Sequence, residues 1–257
     1  MEKKKSLYYR FMMSIAKRIF PKPTISYEEE LTDEPVVYLC NHSGAHGPAY
    51  ATLYFNEPKT MWLIAYALDK KNNANFFFHD FFFGKTKKHP FFTKVLSKLV
   101  SVFLTPLLKG TDHIPVYHDA RMMGTFRQSV DALKSGKSVV IFPECPTKYS
   151  EFVNDLYSGF ADLARSYYAA TGKCIKFVPG YICHELHVVK FGQGYTYDPS
   201  INPKLQRKII SDYARDNIHR LASSLPKFTP APFLPQAWYD GYGEYVTHMA
   251  DYWKQFD

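Results

Sequence analysis

The chain has 257 residues, of which 46% are hydrophobic, 17% are aromatic and 22% are charged, and its formal net charge is +8. These values argue against general disorder, and because no linker-like segment divides the sequence we expect one domain spanning 1–257. The positive charge indicates anionic partners. No nucleic-acid-binding motif is present, so we expect no nucleic acid among them.

The first predicted element is an amphipathic helix within residues 1–23. Leu7, Phe11 and Ile15 follow helical spacing, basic residues lie between them, and two prolines end the helix. A basic amphipathic helix suits an anionic membrane surface, whereas the simpler alternative is that its apolar stripe packs on the domain.

Membrane spans and secretion signals are not predicted. The longest apolar stretch, Leu99 to Leu108, is interrupted by polar residues and by Pro106, so we expect no segment long enough to cross a bilayer. The lysine-rich start lacks the apolar part of a secretory signal, and the four cysteines have no metal-ligand or disulfide-framework spacing. We therefore expect a cytoplasmic protein, peripheral at the inner face of the membrane.

Short β-branched runs alternate with helical segments along the middle of the chain. Strands are predicted at 36–40, 61–65, 113–117, 138–142 and 175–179, and helices at 49–55, 91–108, 121–133 and 160–168. This order predicts an α/β fold with a mostly parallel central sheet flanked by helices. We place the core at 35–200, between the N-terminal helix and a helical, proline-rich extension at 201–257.

Three short motifs follow or close predicted strands: Asn41-His42, Phe142-Pro143-Glu144 and Val178-Pro179. In open α/β sheets, ligands bind outside the carboxyl ends of the strands. A histidine and a glutamate that separate strands deliver to this edge are therefore a candidate active site.

With these motifs in this order, the sequence resembles the glycerophospholipid acyltransferase family, whose members acylate glycerol phosphate and lysophospholipids. The resemblance covers about residues 35–197, and three of the family's four motifs are degenerate here. The family has an Asp five positions after the motif histidine, and Gly47 occupies that position. In the second motif His118 stands where the family has Arg, and the third motif keeps Pro143-Glu144 but loses the Gly, Thr and Arg that follow.

The resemblance implies that His42 is the general base that takes the proton from the acceptor hydroxyl, a role that suits the pKa of histidine. In the family the motif Asp orients this imidazole, which Gly47 cannot do. Glu144, Asp80, Asp119 or a backbone carbonyl could replace it. We favour Glu144, because its strand is expected beside that of His42.

Residues in and near the motifs are the expected substrate-binding residues: Asn41, His46, His118, Arg121 and Lys148. His118 and Lys148 stand at or near positions where the family has Arg, and Arg121 lies one helical turn beyond His118. Cations at these positions suit an anionic headgroup.

The resemblance implies transfer of a fatty acyl group to a lysophospholipid-like or glycerol-phosphate-like hydroxyl. The donor is an acyl thioester, acyl-CoA or an acylated acyl carrier protein, and no bound cofactor is expected. The alternative in another class is a catalytically silent relative that binds lipid or acyl carrier.

Two other kinds of site deserve consideration. Paired histidines at His42 and His46, and at His184 and His187, have spacings that could hold a metal, but neither segment matches a metalloprotease helix and we expect no metal. Cys145 could be a nucleophile with His42 as its base, although a buried, inert thiol is the commoner role of such a cysteine.

Overall fold

The computed structural model describes residues 6–69, 72–78, 89–117, 119–145 and 150–233. Its strands are β1 (Thr24–Tyr27), β2 (Val37–Cys40), β3 (Lys59–Ile64), β4 (His113–Val116), β5 (Ser138–Ile141), β6 (Lys176–Cys183), β7 (Val188–Phe191) and β8 (Tyr195–Thr196). They form one eight-stranded sheet in the order β1-β7-β6-β2-β5-β3-β4, with β8 paired to β6. Strands β6, β2, β5, β3 and β4 run parallel to one another, whereas β7 and β8 run antiparallel to β6.

The helices of the described residues lie on both faces of this sheet. They are α1 (Leu7–Ile19), α2 (His46–Tyr54), α3 (Asn73–Phe76), α4 (Pro90–Gly110), α5 (Met122–Lys134), α6 (Asp162–Thr171) and α7 (Pro203–Ser223). The predicted α/β class, with a mostly parallel sheet flanked by helices, is confirmed.

Strand β2 lies at the centre of the sheet and is covered on both faces. Val37 and Leu39 belong to the apolar cluster that also includes residues of α5, α6 and α7, whereas Tyr38 and Cys40 belong to the cluster on the α2 side. This alternation follows from the two-residue period of a strand, and all four side chains have no exposed area. A rigid, buried strand therefore delivers the chain to the carboxyl edge of the sheet at residue 41.

The predicted core of 35–200 is too narrow at both ends. Strand β1 begins at Thr24 and pairs in parallel with β7. At the other end, α7 is not a peripheral extension, because Ile210, Ile218 and Leu221 on its inner face have no exposed area. Their helical spacing places them on one stripe, which packs against the sheet.

The Val178-Pro179 motif does not close its strand, as the sequence suggested. Strand β6 continues to Cys183, because β7 pairs antiparallel with its second half from Gly180 to Cys183. Gly180 is required at this crowded position, since a Cβ there would lie 2.7 Å from the ring of Phe191. The strand thus extends beyond the end of β2 and carries the residues that follow it past the Asn41-His42 loop.

The prediction that no segment is long enough to cross a bilayer is wrong on length and composition. Pro106 lies inside α4 without ending it, since a proline removes one backbone hydrogen bond but need not terminate a helix that packing supports. As a result, Phe91–Gly110 is one continuous helix of 20 residues that is apolar enough on average to cross a bilayer, and only 22% of its most apolar window is buried.

The position of α7 in the core can be tested with two substitutions on the same helix. We expect Ile218→Ala to lower the free energy of unfolding by about 2–5 kcal/mol, because it removes a fully buried side chain. Leu205→Ala, at a position that is 53% exposed, should cost less than about 1 kcal/mol. Urea denaturation measures both values, and equal effects would show that α7 is peripheral.

Candidate active site

The loop that joins β2 to α2 folds back over its own histidine. Ser43 and Gly44 both adopt left-handed backbone conformations, with φ of 47° and 58°. The carbonyl of Ser43 accepts a hydrogen bond from the N–H of His46 at 3.0 Å and so closes the turn. A left-handed serine is energetically unfavourable, so the surrounding contacts must hold this turn in place.

The imidazole of His42 is oriented by the main chain of this turn. Its Nδ1 contacts the carbonyl oxygen of Gly44. Because a carbonyl only accepts hydrogen bonds, this partner assigns the proton to Nδ1 and therefore the lone pair to Nε2. Among the replacements considered for the missing Asp, the structure therefore favours a backbone carbonyl over Glu144.

Glu144 acts on the backbone of His42 instead of on its ring. One carboxylate oxygen accepts a hydrogen bond from the backbone N–H of His42, and the other accepts one from the N–H of Asn154 at 2.9 Å. Burial raises the pKa of Glu144 to about 7, although these two N–H groups lower it. The predicted partnership between the Glu144 carboxylate and the imidazole is thus corrected: Glu144 positions the loop.

Two aromatic rings lie beside the His42 side chain. Its ring centroid lies 5.5 Å from that of Phe142 and 4.8 Å from that of Phe233. Burial lowers the pKa of His42 below its ordinary value, and the Gly44 carbonyl opposes this only in part. The imidazole is therefore neutral at neutral pH, which is the form that a general base requires.

Sequence reasoning missed Phe233, because it lies in the proline-rich extension far along the chain. Phe228 stacks on Phe152 with centroids 5.8 Å apart, and the N–H of Thr229 donates to Glu185 at 2.8 Å. These contacts guide the segment after α7 across the carboxyl edge of the sheet to His42. No local pattern in the sequence signals this contact.

Gly47 stands where the motif that this sequence resembles has Asp, and this position has no room for a side chain. A Cβ at this residue would lie 2.6 Å from the carbonyl oxygen of His42 and 2.7 Å from that of Asn41. The N–H of Gly47 also donates to the His42 carbonyl at 3.0 Å. The backbone of the loop therefore occupies the space that an Asp side chain at position 47 would need.

Asn41 is a predicted substrate-binding residue, but in the structure both ends of its side chain are bonded within the protein. Its side-chain oxygen accepts from the N–H of Ile182 at 2.7 Å, and its side-chain nitrogen donates to the Ile182 carbonyl at 3.2 Å. The residue is only 1% exposed. Both ends of the amide are used to join β2 to the second half of β6, so Asn41 holds the edge together.

His46 lies among other histidines and not beside the His42 ring. Its Nδ1 bonds to the carbonyl of Ser43 at 2.9 Å, and its ring stacks on that of His184 with centroids 3.6 Å apart. The His187 ring lies 6.1 Å from that of His184. Even so, no group of histidine, cysteine or acidic side chains in the described parts of the chain is arranged to hold a metal ion.

Arg121 lies on the same edge of the sheet as His42 but is engaged elsewhere. Its Nε donates to both carboxylate oxygens of Asp119, at 3.0 and 2.9 Å, and its guanidinium lies 4.4 Å from the ring centroid of Tyr117. Strand β4 is three positions from β2 in the sheet, which corresponds to about 14 Å. Arg121 therefore lies far from the His42 ring. Asp119, which pairs with Arg121, is too far away to orient that ring.

Three of the predicted residues, His118, Lys148 and Asp80, lie outside the described residues. Cys145 is buried, and its Sγ faces the carbonyl of Asp155 at 3.3 Å. This contact favours an inert thiol over a nucleophile activated by His42.

Comparisons with known proteins identify the fold. No family model matches the sequence, and no curated protein sequence matches it. The structure is similar to the crystal structure of the 1-acyl-sn-glycerophosphate (LPA) acyltransferase PlsC from Thermotoga maritima, with a TM-score of 0.51 and 12% sequence identity. The match covers 85% of this chain and 81% of that one, so the chain has the acyltransferase fold.

The crowding around Gly47 can be tested with two glycine substitutions. We expect Gly47→Ala to lower the free energy of unfolding by about 1–3 kcal/mol, because its Cβ overlaps the backbone of the loop. The control, Gly124→Ala in α5, has no atom within 4 Å of the added Cβ and should be neutral or stabilising by up to about 1 kcal/mol. If both variants unfold at the same urea concentration as the parent chain, the loop is not closed as described.

Proposed function

We propose that the chain is an O-acyltransferase in which His42 is the general base. The acceptor is a lysophospholipid-like or glycerol-phosphate-like alcohol, and the donor is an acyl thioester of coenzyme A or acyl carrier protein. One observation carries this proposal: a histidine lies at the carboxyl end of the central strand of an acyltransferase fold, and the contact of its Nδ1 with the Gly44 carbonyl places the lone pair on Nε2. A bound cofactor is not part of the proposal.

In the proposed reaction, Nε2 of His42 takes the proton of the acceptor hydroxyl as its oxygen attacks the thioester carbonyl carbon. The carbon–sulfur bond then breaks, and the imidazolium returns the proton to the departing thiolate. General-base assistance of this kind contributes roughly 10²- to 10⁴-fold to a rate. The Gly44 carbonyl fixes the tautomer, but as a neutral group it stabilises the imidazolium less than the family's Asp does.

The alternative of a silent relative draws support from the surroundings of the same histidine. Phe233 covers part of the His42 ring, and the lowered pKa shows that these surroundings disfavour the imidazolium. A chain that binds lipid or acyl carrier without turnover would tolerate both features. Catalysis by the purified protein separates the two proposals.

We further propose a cytoplasmic, membrane-peripheral location, on the basis of charge and exposed apolar side chains. The net charge is +8, and Leu7 and Phe11 of α1 are 82% and 63% exposed beside the basic Arg10. The four cysteines are free thiols, which suits a reducing compartment.

The role of His42 is tested by replacing it with glutamine. We expect His42→Gln to lower the rate of acyl transfer from acyl-CoA to a lysophospholipid by about 10²-fold or more, because glutamine cannot accept the proton. The control is His113→Gln, since His113 begins β4 at the opposite edge of the sheet and should leave the rate unchanged. Equal loss in both variants, or none in His42→Gln, would remove His42 as the base. No transfer by the parent chain with any lysophospholipid or thioester would support the silent relative.

The pH dependence of the rate provides a separate test. Since only neutral His42 is active, kcat/KM should be constant at high pH and fall as the pH drops through the lowered pKa of His42. Phe233→Ala should expose the ring to water and raise this pKa towards its ordinary value. The acid limb of the profile should therefore move to higher pH in this variant, and an unchanged midpoint would show that Phe233 does not desolvate the base.

A further inference from the structure

Helix α4 exposes a wide apolar face. Six large apolar side chains follow helical spacing on this face and are between 44% and 82% exposed: Phe91, Phe92, Val95, Leu99, Val102 and Phe103. A helix on the surface of a water-soluble domain normally turns such a stripe inward and its polar residues outward. We call this set the outer face of α4.

The side of α4 that faces the protein carries a row of hydroxyl residues. A hydroxyl residue recurs at every fourth position, and all of them are at most 7% exposed: Thr93, Ser97, Ser101 and Thr105. Ser97 donates to the carbonyl of Thr93 at 2.8 Å. Thr105 donates to the Ala67 carbonyl at 3.2 Å and accepts from the amide of Asn73 at 2.9 Å. Apolar side chains between these hydroxyls also pack against the protein: Leu96, Val100, Leu104 and Leu108. Helix α4 therefore has apolar residues on its inner side as well as on its exposed outer face, as expected when its outer environment is less polar than water.

Although α4 is long enough to cross a bilayer, the sheet does not permit a single crossing there. Strands β3 and β4 flank the helix in the chain and pair side by side in parallel, from Met61↔His113 to Ile64↔Val116. A helix that crossed a membrane once would place these paired strands on opposite sides. A lipid surface could therefore meet the outer face of α4 only sideways, as it meets an interfacial helix.

The outer face begins at the edge of the sheet that carries the candidate site. Thr105 meets Ala67, directly beyond the carboxyl end of β3. The exposed apolar side chains all precede Thr105, whereas the end of α4 leads to β4 at the amino edge. The apolar surface thus starts at the carboxyl edge, where β2 delivers His42.

Basic side chains flank this apolar surface. Lys94, Lys98 and Lys109 of α4 are exposed. Helix α1 lies beside α4, since the hydroxyl of Tyr8 donates to the Phe103 carbonyl at 2.7 Å, and it adds further exposed cations. Apolar residues rimmed by cations match a bilayer with anionic headgroups, because each lysine or arginine near such a surface adds to its attraction.

We propose that the outer face of α4 inserts into the interfacial layer of an anionic phospholipid bilayer, with the neighbouring cations on the headgroups. The binding is independent of catalysis. Only its consequence, that a lipid acceptor reaches His42 from the bilayer along this edge, rests on the proposed function.

Vesicle binding by the full chain tests this inference. The probes are vesicles of phosphatidylcholine, with or without phosphatidylglycerol, in the absence of any acyl donor. We expect the parent chain to bind the anionic vesicles. The triple variant Phe92→Ser/Leu99→Ser/Phe103→Ser should bind them at least about tenfold more weakly, at both low and high salt. The double variant Lys94→Gln/Lys98→Gln should lose affinity only for anionic vesicles and only at low salt, because salt screens charges but not apolar contacts.

The control is Met123→Ser/Leu205→Ser, which removes exposed apolar side chains outside α4, at positions that are 69% and 53% exposed. It should bind vesicles as the parent chain does. Thermal melts verify that every variant is folded. No binding by the parent chain, or equal binding by the parent and the triple variant, would overturn the proposal. It would also be overturned if the triple substitution only converted an oligomer into a monomer, since a second copy would then cover this face. Vesicle binding without acyl transfer would contradict the proposed function and leave this inference intact.

Discussion

The contact between His42 Nδ1 and the carbonyl oxygen of Gly44 is the interaction on which the candidate site depends. It exists because two consecutive residues, Ser43 and Gly44, adopt left-handed conformations and turn the chain back over the imidazole. This conformation also requires that residue 47 have no side chain, because a Cβ there would lie against the carbonyl oxygens of Asn41 and His42. Glu144 secures the other side of the loop through the backbone N–H of His42. The His42 ring is thus oriented through main-chain groups of the loop, and not through a hydrogen bond from the side chain of Ser43 or Glu144.

This arrangement sets the electrostatics of the His42 imidazole as well as its orientation. A carboxylate partner would hold a histidine ready to become an imidazolium, whereas a carbonyl supplies only a dipole. Phe142 and Phe233 add desolvation, which lowers the pKa of His42. The imidazole is therefore neutral at neutral pH, the form that the proposed base requires, but it gains little stabilisation when it takes a proton. An acceptor that brings its own negative charge close to the ring would supply part of what the loop lacks, because an opposite charge favours the protonated form.

The sequence predicted the strands that deliver the site but not the contacts within it. β-branched runs buried on both faces identified β2 and β5, and the rule for open sheets placed His42 at their carboxyl edge. Whether the carboxylate of Glu144 meets the ring or the backbone of His42 depends on loop geometry that residue types do not encode. The role of Asn41 could not be predicted either. Its side-chain amide bonds to Ile182 in the second half of β6, and β6 extends beyond Pro179 because β7 pairs with it. Phe233 reaches the site through tertiary contacts of Phe228, which local periodicity cannot reveal.

The departures from the family's motif are physically coupled, and this limits how the site can change. An Asp at position 47 needs the loop to open, because its Cβ would overlap two backbone carbonyls. Opening the loop would also pull the Gly44 carbonyl away from Nδ1 and disturb the hydrogen bond from His46 to Ser43 that closes the turn before α2. The site would then lose its present orienting group before a carboxylate could take over. Residues 43–47 therefore act as one unit, and an arrangement with a carboxylate at position 47 requires the whole turn to be rebuilt around His42.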